Sequence, residues 1–292
     1  MSLLNKTSVI IPAKNEFGGL QQLLPSIQQA YPELLEIIVV NDGSTDATQS
    51  LLKELNVREV YHQQSKGNGA SIKAGARAAK GEFLVFMDAD NQHKAASIGA
   101  LLERLEQGFD MVVGARSAKA QASGARWFAN TFYNKLSSMI TKANITDLTS
   151  GLRAVKAEKF REFLPLLPNG FSYPTTITMA FLRSGYEVDF LPQEISSERI
   201  GKSHISPLKD GIRFLMIIFK IGTLYSPLKV FVPIAFFLFT VGLGYYGYTL
   251  TTMGRLTNMS VILFTSSLVV FLIGLVSEQI NSLIFMLNEK RK

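Results

Sequence analysis

Two aspartates one residue apart, Asp88 and Asp90, directly follow the apolar run FLVFM at positions 83–87. Side chains two positions apart in extended chain share a face, so the pair is expected to present its carboxylates together. Carboxylates that close repel each other unless a divalent cation lies between them. Oxygen ligands of this kind suit Mg²⁺ or Mn²⁺, with diphosphate oxygens filling the remaining positions. Two other polar clusters also follow short β-rich runs: Pro12-Ala13-Lys14-Asn15-Glu16 after Thr7–Ile11, and Asn41-Asp42-Gly43-Ser44-Thr45-Asp46 after Glu36–Val40. In the second, Ser44, Thr45 or Asp46 can cap a following helix. Lys66-Gly67-Asn68-Gly69 has the look of a phosphate-cradling turn into a helix. With Ile72 in place it matches neither GxxxxGK[ST] nor GxGxxG, which removes support for an ATPase or a dinucleotide oxidoreductase.

These clusters need a scaffold that brings them together. β-rich runs at Thr7–Ile11, Glu36–Val40, Val57–Tyr61, Phe83–Met87 and Met111–Val113 alternate with helix-like segments at Gly19–Ala30, Ala47–Leu55, Ala70–Ala79 and Ala95–Gln107. That alternation predicts an α/β fold with a mainly parallel sheet covered on both faces. Ligands in such folds bind beyond the carboxyl ends of the strands, which is where all three polar clusters fall. His62 ends the third run and reads as structural; His93 follows the acidic pair and could orient a metal ligand. Trp127 and its aromatic neighbours read as core.

The chain has 292 residues, 47% of them hydrophobic and 18% charged, but the two kinds are unevenly spread. Charge extends from the start to Lys229 and nearly vanishes until Glu289. Val230–Leu250 carries no charge, and Met259–Met286 is apolar except for Glu278, Gln279 and Asn281. Each is long enough to cross a hydrocarbon core of about 30 Å. Lys209, Arg213, Lys220 and Lys229 precede the first span and Lys290, Arg291 and Lys292 follow the second, while Thr251–Asn258 between them carries only Arg255. The positive-inside rule then puts the large domain and the C-terminus in the cytoplasm. Glu278 is either a functional group or a carboxylate near the interface. Pro207–Tyr225 mixes bulky apolar residues with Lys209, Arg213 and Lys220, as an amphipathic interface helix or a helix packed on the soluble domain would. The expected organisation is a soluble domain over residues 1–206, an interface helix over 207–228 and a two-helix anchor over 229–292. Two spans per chain are compatible with a homo-oligomer through helix packing.

The net charge of +7 comes without runs of basic residues interleaved with aromatics, so no nucleic-acid partner is expected. The excess near the spans suits anionic headgroups. The absence of cysteine excludes disulfides, iron–sulfur clusters and thiolate zinc sites. Thr7–Ile11 is too short for the apolar core of a signal peptide, and none is expected.

The segments SVIIPAKNE, VVNDGSTDAT, KGNGASIKAG, FMDADNQH, VVGAR, DLTSGLRA and RIGKSHI, in this order between about residues 7 and 230, resemble the family 2 glycosyltransferases with a GT-A fold. The likeness is to the branch that contains dolichol-phosphate mannose synthase and the bacterial polyprenyl-phosphate sugar transferases. It implies inverting transfer from a UDP- or GDP-sugar to a polyprenyl phosphate, dependent on Mg²⁺ or Mn²⁺, by an integral protein of the bacterial inner membrane. It also implies roles for residues. Pro12, Ala13, Asn15, Glu16 and Asp42 would hold the nucleoside, with Lys66, Ala89 and Arg116 in the same donor-binding set. Asp88 would lie near the sugar and diphosphate, and Asp88, Asp90 and Gln92 would bind the metal. Arg116, Arg126, Asp147, Ser150 and Arg153 would surround the diphosphate and the acceptor phosphate. Arg199, Lys202 and Ser203 would belong to a loop closing over them. By this resemblance Asp88, Asp90, Arg126, Asp147, Arg153 and Arg199 would form the catalytic set. His204 stands where the family carries Lys or Arg, and the mannose synthases have one more residue between the Arg and Gly of this loop.

The residues themselves favour a phosphate acceptor. A phosphate monoester has a second pKa of about 6, so it is anionic at neutral pH and can attack an anomeric carbon without the general base a hydroxyl needs. The site must then supply positive charge and a metal for the leaving diphosphate, which Arg116, Arg126, Arg153, Arg199 and Lys202 can help provide. A processive polysaccharide synthase would need a QxxRW motif, yet Arg126-Trp127 follows Ser123 and precedes Asp147. A non-catalytic scaffold would not need Asp88, Asp90, Asp147 and Arg199 intact.

Overall fold

In the computed structural model, the described residues are 3–90, 92–116, 131, 134–135, 137–138, 141, 143–170, 172–193, 216, 219, 222–223 and 226–289, with side chains to 283. The chain divides into two compact units, Met1–Ile217 and Ile218–Lys292.

The first unit is built on a sheet of β1 (Thr7–Ala13), β2 (Glu36–Asn41), β3 (Arg58–Tyr61), β4 (Phe83–Phe86), β5 (Met111–Arg116), β6 (Arg153–Lys156) and β7 (Val188–Gln193), in the order β3-β2-β1-β4-β6-β5-β7. The central strands are apolar without alternation, because helices cover both faces. On one face Val9, Ile11, Val39, Val85 and Val112 pack under α1 (Phe17–Ala30), α2 (Thr48–Glu54) and α4 (Ala96–Glu106). On the other, Gly75 of α3 (Asn68–Ala78) lies so close that a Cβ there would be 2.4 Å from Ile10 Cγ2. Phe86 meets Phe160 of α5 (Ala157–Glu162) on that same face, with ring centroids 4.6 Å apart. Arg153, the cross-strand partner of Phe86, reaches α6 (Tyr173–Arg183) there.

Strands β1 to β4 run parallel to one another, as the alternation of elements predicts. Strand β6 runs antiparallel to both β4 and β5, and β7 pairs parallel with β5. Neither β6 nor β7 was expected: both are short and carry charged residues, Arg153, Lys156 and Asp189. The order reverses between β1 and β4, which opens a crevice beyond their carboxyl ends. The crevice walls meet closely, since a Cβ at Gly19 in α1 would be 2.1 Å from Ala89 O in the loop after β4.

The second unit is a hairpin of α7 (Pro227–Met253) and α8 (Asn258–Glu289), both apolar and long enough to cross a membrane. They are not core helices of a soluble body, because most of their apolar side chains are exposed; Phe236 and Phe237 are 66% and 64% so. Gly254, at φ 64, ends α7 in the left-handed conformation that favours glycine. Gly242 packs on Leu263 and Phe264, Gly274 on Phe231, and Ser267 donates to Ala235 O at 2.8 Å. Glu278 accepts from Leu228 N at 3.5 Å in the first turn of α7, and Asn281 donates to Thr223 O at 3.1 Å. The expected interface helix over 207–228 falls mostly outside the described residues.

Gly69 at the start of α3 has its Cα face against the carbonyls of Pro168 and Gly170, 2.0 and 2.8 Å from where a Cβ would stand. Both contacts are rigid backbone. Gly69→Ala is therefore expected to destabilise the first unit by about 1–3 kcal/mol, read as a lower melting temperature of the detergent-purified chain; an unchanged melt would refute the packing described.

Candidate active site

The loops after β1 and β2 are stitched into one corner. Asn15 sits at φ 57, unusual outside glycine, and is held there by its neighbours. Its Oδ1 accepts from Thr45 N at 2.7 Å and Thr45 Oγ1 at 3.3 Å, and its backbone N–H donates to Ser44 Oγ at 3.0 Å. Phe17 N donates to Asp46 Oδ2 at 3.2 Å. Pro12 and Glu16 are half-buried and Ala13 is buried at this corner.

Asp42, beyond the end of β2, is buried and accepts four hydrogen bonds. Oδ1 takes His62 Nδ1 at 2.7 Å and Lys66 N at 2.9 Å; Oδ2 takes Ser65 Oγ at 2.7 Å and Gly67 N at 2.9 Å. Burial alone would raise this carboxyl, but those donors outweigh it and hold it down at about 2. Its lone pairs are thus engaged in fixing the loop after β3, rather than open towards a nucleoside. His62 is structural, as expected.

In the Lys66–Gly69 turn, the N–H groups of Lys66, Gly67 and Gly69 have acceptors within the protein. Lys66 N and Gly67 N donate to Asp42, while Gly69 N and Ala70 N donate to the carbonyls of Gly170 and Asn169 at 3.2 and 3.1 Å. Those N–H groups at the start of α3 already have acceptors. The Lys66 side chain is exposed.

At the centre of the sheet edge, β4 stops at Phe86, so Asp88 and Asp90 lie beyond the strand and not on one face of extended chain. The sequence expectation of a shared strand face is corrected here: the backbone turns at Ala89 and Asp90. Asp88 is half-buried and backed by Gly151, where a Cβ would come 2.5 Å from its Oδ2. Asp90 is 9% exposed and its Oδ1 accepts from Gln92 N at 3.3 Å. His93 is 5% exposed and its Nδ1 has no hydrogen-bond partner among the described residues. Burial keeps this imidazole below its ordinary value, against the opposing pull of Asp90 and Asp147. Among the described residues, no three carboxylate or imidazole side chains form a metal cage. Two carboxylates are what a Mg²⁺-type ion commonly takes when substrate phosphates supply other ligands, so the donor set fits such an ion.

Arg116 ends β5 and grips Asp147. Nε is 2.8 Å from Oδ2, Nη2 is 3.0 Å from Oδ1, and Arg116 N donates to Oδ2 at 3.1 Å. Nη2 also donates to Thr149 Oγ1. Asp147 is 3% exposed, and Arg116 holds its carboxyl below the usual range despite the burial that would raise it. Burial would lower the Arg116 guanidinium; Asp147 and then Asp88 outweigh this and raise it. Asp147 is therefore held as an anion against Arg116.

Two residues expected around the phosphates lie elsewhere. Arg153 is fully buried, with donors to Pro174 O, Thr178 Oγ1 and Ser150 O, so its guanidinium cannot reach a ligand in the crevice. Ser150 is buried and donates its hydroxyl to Gly114 O at 2.6 Å. The spacing of SGLR could not reveal that the strand turns both inward. Arg126, Arg199, Lys202 and Ser203, with His204, lie outside the described residues. Gly151 and Tyr173, which shape the wall behind Asp88, were not anticipated, and only the small residue within TSGLR hints at the first.

Comparison with known proteins gives two family matches: Glycosyl transferase family 2 over residues 8–164, and GtrB C-terminal hairpin over residues 226–283. The undecaprenyl-phosphate 4-deoxy-4-formamido-L-arabinose transferase of Proteus mirabilis is 33% identical over 193 residues, 59% of this chain and 58% of that protein. A dolichol-phosphate mannosyltransferase of Pyrococcus furiosus is 34% identical over 181 residues, covering 57% and 50%. The polyprenol monophosphomannose synthase of Mycolicibacterium smegmatis is 29% identical over 216 residues, covering 69% and 81%. The matched region thus spans little more than half the length of the first two relatives. Among solved structures, glucosyl-3-phosphoglycerate synthase from Mycobacterium tuberculosis, in complex with Mn²⁺, uridine diphosphate and glucosyl-3-phosphoglycerate, superposes with a TM-score of 0.59 at 20% identity, covering 74% of this chain and 80% of that one. That likeness concerns the fold, which is of the GT-A kind.

The Asp42 network gives a pH prediction. A carboxyl whose folded value is about 2, below its ordinary 3.8, contributes stability that is present above about pH 4 and lost as the pH falls towards 2. Asp42→Asn should lower unfolding free energy by about 1–3 kcal/mol at neutral pH, with the gap from wild type closing across that window. Parallel denaturant melts at several pH values would show it, and a constant gap would contradict it.

Proposed function

The chain belongs to glycosyl transferase family 2, and on that premise we propose that it moves a sugar from a UDP- or GDP-sugar onto a polyprenyl phosphate, inverting the anomeric centre. The product is a polyprenyl-phosphate-linked monosaccharide. The observation that carries this reading is the meeting of Asp88, Asp90 and the Arg116–Asp147 pair at one sheet edge, in a chain that also holds an apolar helical hairpin. The relatives described above are named for undecaprenyl phosphate, dolichol phosphate and polyprenol monophosphomannose.

In this reading the stitched corner of Pro12, Ala13, Asn15 and Glu16 receives the nucleoside. Asp42 shapes its floor by holding Lys66 and Gly67 in place. Asp88, Asp90 and Gln92 hold Mg²⁺ or Mn²⁺, which when bound stabilises the departing diphosphate. Arg116, its orientation fixed by Asp147, offers its remaining N–H groups to the phosphates. Fixed donors of this kind need little reorganisation as charge develops. Arg126, Arg199, Lys202 and Ser203 supply the acceptor-phosphate contacts. Neutral His93 packs beside the acidic loop and adds no charge to it. The hairpin anchors the chain in the bacterial inner membrane, with the first unit and the C-terminus on the cytoplasmic side, where the nucleotide donor is found and the lipid headgroup can be reached.

Purified protein with polyprenyl phosphate and a panel of sugar nucleotides should release UDP or GDP only when a divalent cation is present. Asp90→Asn should slow release by a hundredfold or more, on the order of what removing one transition-state stabilising group does. Undiminished transfer by that variant, insensitive to chelator, would overturn the reading.

A further inference from the structure

Arg153 is a cation with no exposed surface and, among the described residues, no carboxylate within ion-pair distance. Burial lowers its basicity, and the charges of Asp147 and Asp88 act against that. An isolated buried charge is costly, and an apolar residue of similar volume would fill the space at less expense in free energy. What the guanidinium adds is direction. Nη1 donates to Pro174 O at 3.3 Å and Thr178 Oγ1 at 3.2 Å in the first turns of α6, and Nη2 donates to Ser150 O. The Tyr173 ring lies under it, 5.4 Å from Cζ to centroid, and Tyr173 Oη donates to Gly151 O at 3.3 Å. Consecutive carbonyls, of Ser150 and Gly151, are therefore held by a stacked pair anchored on α6. Ser150 Oγ fastens the same turn to Gly114 O in β5.

The other side of this turn faces the acidic loop. A Cβ at Gly151 would lie 2.5, 2.9 and 2.9 Å from Oδ2, Cγ and Oδ1 of Asp88, so Gly151 is the surface against which that carboxylate rests. If the turn moved outward by a few tenths of an ångström, Asp88 would be pushed; if inward, the carboxylate would gain room to rotate. We propose that Arg153 and Tyr173 form a positioning pair for Asp88, holding the Ser150–Gly151 turn as the back wall that fixes how this carboxylate is presented in the crevice. This rests on the reading above, in which Asp88 helps to hold a divalent cation. Neither Arg153 nor Tyr173 touches substrate in it.

The test uses the full chain in detergent, with Mn²⁺ as probe, free ion measured by electron paramagnetic resonance in the presence of UDP or GDP, and a thermal melt of every protein. Tyr173→Phe removes one hydroxyl and keeps the ring. It should melt near wild type yet bind Mn²⁺ about threefold more weakly, while Arg153→Lys, which keeps the charge but not the fork, should bind about tenfold more weakly, in line with the loss of outer-shell support at metal sites. Donor KM should change less than kcat in both. If both variants keep wild-type Mn²⁺ affinity, the pair only stabilises the fold and the inference is wrong. Should Arg153→Lys fail to melt cooperatively, Tyr173→Phe decides alone by the same criterion. Wild-type protein that binds no Mn²⁺ with either nucleotide would sink the metal reading as well, an outcome distinct from binding that the variants leave intact.

Discussion

One reversal in the sheet governs everything at its carboxyl edge. Strand β6 runs against β4 and β5, so its amino end lies beside their carboxyl ends, with Arg153 paired to both Phe86 and Val113. A parallel strand in that slot would have carried the segment 147–152 to the opposite edge. Because β6 is reversed, the approach to it supplies Asp147 to Arg116 and Gly151 to Asp88. The chemistry of the crevice thus depends on β6 entering the sheet antiparallel between β4 and β5.

Charge is distributed on the same plan. Acidic groups at this edge differ in how deeply they are buried and in what lies beside them. Asp42 and Asp147 are each surrounded by fixed N–H and O–H groups, stay ionised despite burial, and serve to lock neighbouring loops or side chains. Asp88 is half-buried, with a glycine at its back and Arg116 close enough to feel its charge. In a low-dielectric crevice such fixed partners act more strongly than they would in water.

Much of this was legible in the sequence where one physical signal dominates. Short apolar runs mark the buried strands β1, β2, β4 and β5, and the structure places these, and the more exposed edge strand β3, within a few residues of the runs. The two long apolar stretches, the second interrupted only by Glu278 among charged residues, marked α7 and α8: little competes with hydropathy over such lengths. Strands β6 and β7 were hidden because four to six residues with a charge among them have neither period nor composition to betray them. The errors at the site have one origin. An arginine near a phosphate-binding motif reads as a phosphate ligand, but whether Arg153 faces the crevice or α6 depends on strand pairing that local sequence does not encode. Likewise, KGNG reads as an anion loop until Asn169, Gly170 and Asp42, distant in the chain, claim its N–H groups.

The contact between Gly19 and the carbonyl of Ala89 leaves no slack between the first turn of α1 and the loop that carries the two aspartates. Any side chain at position 19 would press on backbone, which has no rotamer with which to yield. Glycine there is thus what lets the helix that follows the Asn15–Phe17 corner and the loop that carries the carboxylates lie in contact.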